Sequence, residues 1–292
     1  MAGVITCYTY DLLSFGMLAE LPFTGLSFSQ RLNTPGSFSG SLLLSDPRVI
    51  NLGAIGATNP SKTLTIIDLD GAIVWGGINW TRNYDSTSRL MTVNGQEAWS
   101  YFARRLQAAD YSAAPAGSYW SSNPADACYI AAQLVADAIA VTGSAFTNLS
   151  IAITETVPNP NTITGTYPLT QRSTIDSMVS TLSGGGYGTG FDYGIDWAWS
   201  NGQGSTPVPT LNISYPRRGT PKGPTSPVLM LGGSSNLKYT WPEDGTQQAN
   251  SVVDTASGSG ALVAAVADTS ILGAGYPLLE ATNSYSAVSQ QS

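Results

Sequence analysis

Apolar and polar residues alternate with a period of two over much of the chain, and this pattern predicts strands. Ile5–Tyr10, Gly25–Arg31 and, after a Pro35-Gly36 turn, Ser37–Leu44 read this way. Leu64–Asp70 and Ala72–Ile78 form two runs around Asp70-Gly71, a dipeptide suited to a tight hairpin because both central residues need positive φ. The double glycine Gly76-Gly77 predicts a bulge or sharp bend in the second strand. Leu90, Thr92 and Asn94 alternate with Met91, Val93 and Gly95 in a further strand, and Glu97–Arg105 has a helical pattern. Ile50–Lys62, with Gly, Asn and Pro, reads as a loop.

The period changes after residue 106. Asp110–Asn123 is a Ser-, Ala-, Pro- and Gly-rich connection. Asn123-Pro124 predicts a helix start, and Ala127, Ile130, Ala131, Leu134, Val135 and Ala138 share one helical face up to a terminating Gly143. A second helix opens at Ser173-Thr-Ile-Asp176, with Asp176 as an approximate capping-box partner, and stops at Gly184-Gly-Gly186. Phe191, Tyr193, Ile195, Trp197 and Trp199 then alternate with Asp192, Gly194, Asp196 and Ala198. This predicts a half-buried strand with an aromatic face, paired with Leu211–Tyr215 across the loop 201–207. Strand-like segments return at Val228–Leu231, Leu237–Trp241, Ser251–Ala265 and Ser270–Glu280. Helices flanked by strands predict a β-rich α+β chain in two units. Residues 1–106 plus 220–292 make an outer β-domain, and residues 107–219 an inserted α+β domain.

Composition narrows the function. The 292 residues are 42% hydrophobic but only 11% charged, with 31 Gly and 17 Pro, a profile of many turns and a polar, weakly ionic surface. An assembly component and a secreted β-protein share that profile. The net charge is −7, and Arg104-Arg105 and Arg217-Arg218 are isolated basic pairs, so no cationic face for gripping phosphate is predicted. Met1–Phe15 lacks a basic signal region, and Tyr8, Tyr10 and Asp11 break its apolar pattern. No apolar run suits a membrane span, so no stable membrane insertion is expected. Cys7 and Cys128 are expected to be reduced, buried thiols, with one disulfide as the alternative.

The chain has no histidine, which removes Ser-His-Asp and Cys-His mechanisms and the commonest zinc ligand. Two cysteines cannot build a Cys-based zinc site. Gly184-Gly-Gly-Tyr-Gly-Thr-Gly190 follows a helix instead of opening one, the wrong context for a dinucleotide cradle. Asp68-x-Asp70-Gly71 resembles half of a calcium loop, but the position of the closing glutamate is Asn79. Asp192 and Asp196 share a strand face and could serve a glycosidase, beside aromatics that alternation places on the opposite face. No catalytic residue, metal or cofactor is therefore predicted, and a solvated strand face accounts for both acids.

The order and spacing of Gly71–Ile78, Tyr84-Asp85, Leu90–Val93 and Trp99–Arg105 carry a resemblance. Phe28–Gly40, Tyr215-Pro-Arg-Arg-Gly219 and Gly275–Glu280 extend it over most of the chain. Together they resemble the tail-tip hub, or minor tail protein, of long-tailed bacteriophages, especially those of actinobacterial hosts. The resemblance implies paired β-barrel-like domains, one interrupting the other. It also implies a virion structural role without enzymatic activity: a ring of copies, commonly three. Such a ring joins the tail tube, distal tail ring and tape measure protein to spike or fibre proteins. It lets DNA pass without tight binding, and its subunits are made in the bacterial cytoplasm. Relatives often continue beyond the segment matching Tyr276–Glu280, whereas this chain stops at Ser292. Trp75, Trp80, Tyr84, Trp120 and Trp241 are candidate interface or glycan contacts, with core packing as the alternative. A receptor- or glycan-binding tail protein and a glycan-degrading one are the other readings.

Overall fold

The computed structural model describes residues 4–112, 119–120, 124–155, 162–184, 190–218, 241–246, 248–256, 262–267 and 274–285. Val228–Leu231, Asn123 and most of the glycine cluster after residue 184 lie outside them. The fold is β-rich, with helices concentrated in the middle of the chain. Among the described residues no helix is long and apolar enough to cross a membrane.

The N-terminal strands are β1 (Ile5–Asp11), β2 (Met17–Glu20), β3 (Thr24–Phe28), β4 (Ser37–Leu43), β5 (Thr63–Leu69), β6 (Ala72–Asp85) and β7 (Leu90–Glu97). They form one antiparallel sheet in the order β2-β1-β5-β6-β7-β4-β3. In a flat sheet the outer strands would stand roughly 29 Å apart, at about 4.8 Å per spacing. Yet β2 and β3, at opposite edges, are joined by Leu21, Pro22 and Phe23 alone, a link that spans at most about 14 Å. The sheet must therefore curl into a barrel-like layer with its seam between β2 and β3. Inside lie Cys7, Ala19, Phe38, Ile67, Trp75, Met91 and Val93. The opposite face presents Tyr8, Tyr10, Leu64, Ile66, Ile78 and Trp80 to a second, larger core. Because β5 is covered on both faces, it is almost continuously buried instead of alternating.

The hairpin at Asp70-Gly71 forms as read, with φ of 52° and 90°. The segment Ile50–Lys62, expected as a loop, takes in the end of α1 (Pro47–Asn51) and the whole of α2 (Ala54–Ala57). Asp46 caps α1, and Val49, Ala54 and Ala57 plug the barrel interior. The bulge expected at Gly76-Gly77 falls two residues earlier, at Val74, between the pairs Ile67–Trp75 and Asp68–Ile73. The glycines have a different cause: a Cβ on Gly76 would sit 2.5 Å from the Trp197 indole nitrogen, and one on Gly77 2.1 Å from the Gln96 carbonyl oxygen. After β7, Ala98–Arg104 is a 3-10 helix that buries Trp99, Tyr101 and Phe102.

The middle block contains β8 (Ala125–Asp126), α3 (Ala127–Ala140), β9 (Ser150–Glu155), β10 (Thr162–Ile163), α4 (Ile175–Ser183), β11 (Asp192–Trp199) and β12 (Pro207–Tyr215). The first helix begins at Ala127, not at Asn123-Pro124, because residues 125–126 are held extended against β10 and Asp126 caps the helix. Thr174 caps α4, while Asp176 accepts a 2.6 Å bond from the Trp99 indole N–H in place of a capping-box role. The hairpin β11–β12 forms as expected, and β9 adds in parallel to β12. The helices α3 and α4 pack on each other, α3 on β9 and β12, and α4 on the 3-10 helix. The larger core draws on both sides of residue 106.

The remaining strands are β13 (Trp241–Asp244), paired with the second half of β6, and the sheet β15-β14-β16. The latter comprises β14 (Ser251–Ala256), β15 (Leu262–Ala267) and β16 (Glu280–Tyr285).

Candidate functional site

The loop from Ser29 to Gly36, the end of β7, the 3-10 helix and β11 converge on a cleft of about 340 Å³, lined by Arg31, Leu32, Glu97, Trp99, Asp196 and Arg218 among others. Asn33 stitches the loop to β11. Its side chain accepts from the Tyr193 amide (2.8 Å) and donates to Asp192 (3.2 Å), and its carbonyl accepts from the Tyr193 hydroxyl (2.7 Å). Glu97 accepts from the Gly36 amide. Burial raises its pKa above the ordinary glutamate range, against the lowering pull of backbone donors and of Arg218. Arg218 pairs with Asp196 and reaches over Gly194, where a Cβ would collide with its guanidinium.

Of the two acids singled out from the sequence, Asp196 lines this cleft together with Glu97, whereas Asp192 is not among its lining residues. Both acids of β11 accept bonds within the fold. Asp192 holds Asn33 and the Arg218 amide (2.8 Å), and Asp196 holds Arg218 and Asn212 (2.8 Å). Of the aromatics of β11, Tyr193 lines the same cleft as Asp196, whereas Trp197 and Trp199 pack within the fold. Trp197 covers Gly76 between Phe15 and Phe146, and Trp199 packs edge-on against Tyr8. Asp68, half of the imagined calcium loop, is fully buried and accepts from Trp199, Gln203 and the Gly71 amide.

Of the five candidate contact residues, Tyr84 and Trp241 are brought opposite each other, and the other three are buried. Trp75 lies inside the barrel, and Trp80 is buried against Ser100 and beneath Arg104. Trp120 is stacked on Tyr111 in the larger core, with its N–H buried. These three are packing elements. Tyr84 is half-buried, and Trp241 pairs with it as the first residue of β13. The basic pairs do not line a common path either: Arg105 is fully buried, whereas Arg217 is exposed.

One cluster offers potential metal ligands, a feature the sequence reading did not anticipate. Asp126, Cys128 and Glu155 bring their ligand atoms within 4.8 Å of one another. Burial and the neighbouring carboxylates push the Cys128 thiol up, and burial followed by Asp126 raises Glu155. Asp126 is also engaged in capping α3, through a 2.7 Å bond from the Cys128 amide. Cys7 and Cys128 are both buried and unbonded.

No family model and no curated protein matches the chain. Among solved structures, it is similar to the tail protein from Neisseria meningitidis MC58, at 13% identity and a TM-score of 0.35, over 98% of this chain and 68% of that one. It is also similar to prophage tail protein gp18 from Listeria monocytogenes EGD-e, at 10% identity and 0.39, over 96% and 72%. A third similar structure is the tail protein of prophage MuSo2 from Shewanella oneidensis, at 14% and 0.38, over 99% and 70%.

Proposed function

We propose that this chain is a structural protein of a bacteriophage tail, placed at the tail tip as a hub. The observation that carries the reading is the ordered run from Gly71 to Arg105. It folds as one unit, β6, β7 and the 3-10 helix, and sits at the junction of the barrel and the helical block. The two-unit organisation, 1–106 with 220–292 around 107–219, belongs to the same proposal. Copies close a ring, three in number, that joins the tube and distal ring to spike or fibre proteins and passes DNA without gripping it. The surface suits assembly: among the described residues, every exposed large apolar side chain except Tyr129 lies within residues 4–69. The working parts of this role are interfaces, and the acids of β11 help to hold the fold. Labelling intact virions with an antibody to this chain tests the placement. Label at the tail tip is expected; label on the capsid, or none, overturns it.

A further inference from the structure

We infer that the cleft between the Ser29–Gly36 loop and β11 binds a neutral saccharide, one or two pyranose units long. This goes beyond the structural role proposed above, and the residues differ from the aromatic positions singled out in the sequence. Its size, about 340 Å³, is at the small end of ligand sites. Its formal charges balance: Arg31 and Arg218 line it with Glu97 and Asp196, and Arg218 is paired with Asp196. A phosphate or a cation would meet as much repulsion as attraction there, whereas neighbouring hydroxyls can donate to a carboxylate and accept from a guanidinium at once.

Capacity remains for such bonds. The Asp196 and Arg218 side chains keep 55% and 28% of their exposure while paired, and Arg31 is exposed at the rim. Leu32, 53% exposed, gives an apolar wall for the C–H face of a sugar ring, above a floor that includes Ile195 and Trp99. The walls are set before any ligand arrives. Asn33 fixes the loop through three hydrogen bonds, and Asp176 pins the Trp99 indole, so little ordering cost falls on binding.

The test titrates the full chain with methyl glucoside, methyl galactoside, N-acetylglucosamine and their β-linked dimers, read by saturation-transfer NMR and calorimetry, with glucuronate and inorganic phosphate as charged probes. At least one neutral sugar should bind with a Kd on the order of 1 mM. Arg31→Ala and Leu32→Ala alter exposed side chains and should leave folding intact. Each should weaken binding about fivefold. No binding by any neutral sugar, preference for glucuronate or phosphate, or affinity unchanged in both variants each overturns the assignment. Because virion labelling reads placement and not ligands, failure here is distinguishable from failure of the tail reading.

Discussion

Replacing Arg105 by Met probes how the C-terminal segment is held to the rest of the chain. Arg105 is fully buried at the end of the 3-10 helix. Its guanidinium pairs with Glu280 at 3.0 Å and donates to the carbonyls of Ala138 (3.0 Å) and Leu278 (3.5 Å). Glu280 also accepts from the Leu106 amide at 3.1 Å, and Tyr101 donates to the Leu278 carbonyl. One side chain therefore ties α3, the 3-10 helix and the start of β16. Removing one partner of a buried pair costs about 3–5 kcal/mol. At about 2 °C per kcal/mol for a chain of this size, the unfolding midpoint should fall by roughly 6–10 °C. Glu280→Met alone should cost at least as much, since it strands a buried guanidinium. The Arg105→Met, Glu280→Met double variant should recover part of the loss, because apolar replacement of both partners leaves no charge unpaired. Scanning calorimetry gives the midpoints, and hydrogen exchange should localise the loosening to 274–285. A single-variant shift below about 2 °C, or a double variant worse than the sum of the singles, would refute this account of the latch.

Gly77→Ala should abolish soluble folded protein because the new Cβ meets the Gln96 backbone, whereas Gly56→Ala, with open space around it, should leave the melting midpoint unchanged or higher. Glu97 is raised by burial, so the folded state favours its protonated form; its contribution to stability is full below the ordinary value of 4.5 and is lost as pH rises through the folded value. Glu97→Gln should remove that loss, and melting curves from pH 4 upward, matching wild type in pH slope, would refute it. Cys7, pushed up to about 12, and Cys128 should both resist a thiol reagent in the native protein and react after denaturation. Purified chain incubated with bacterial cell-wall glycans should release no reducing ends; release abolished by Asp192→Asn or Asp196→Asn would show that the acids of β11 do chemistry.

What the sequence made legible was local. Asp70-Gly71 encodes its turn in two adjacent residues with positive φ, and the alternation from Phe191 to Trp199 encodes its own strand. What it hid depends on partners distant in the chain. A double glycine can serve a bent backbone or a close neighbour, and only the approach of Trp197 and Gln96 decides between them. The parallel strand Ser150–Glu155 has no turn to announce its pairing with β12. The helices after Pro47 are five and four residues long, too short to show a period, and are fixed by what they plug. The cleft escaped notice for the same reason, since Asn33, Glu97 and Arg218 meet only through the fold. Only its strand, with Asp192 and Asp196, was visible beforehand.

The central claim is tested most directly by a reconstruction of an intact tail tip at a resolution that traces chains. Three copies of this chain in a closed ring on the tail axis, with Arg105 buried inside each subunit and a channel wall free of clustered Lys and Arg, is the predicted result. A single copy bound off the axis, or a channel lined by Arg104, Arg217 and Arg218, would contradict the account.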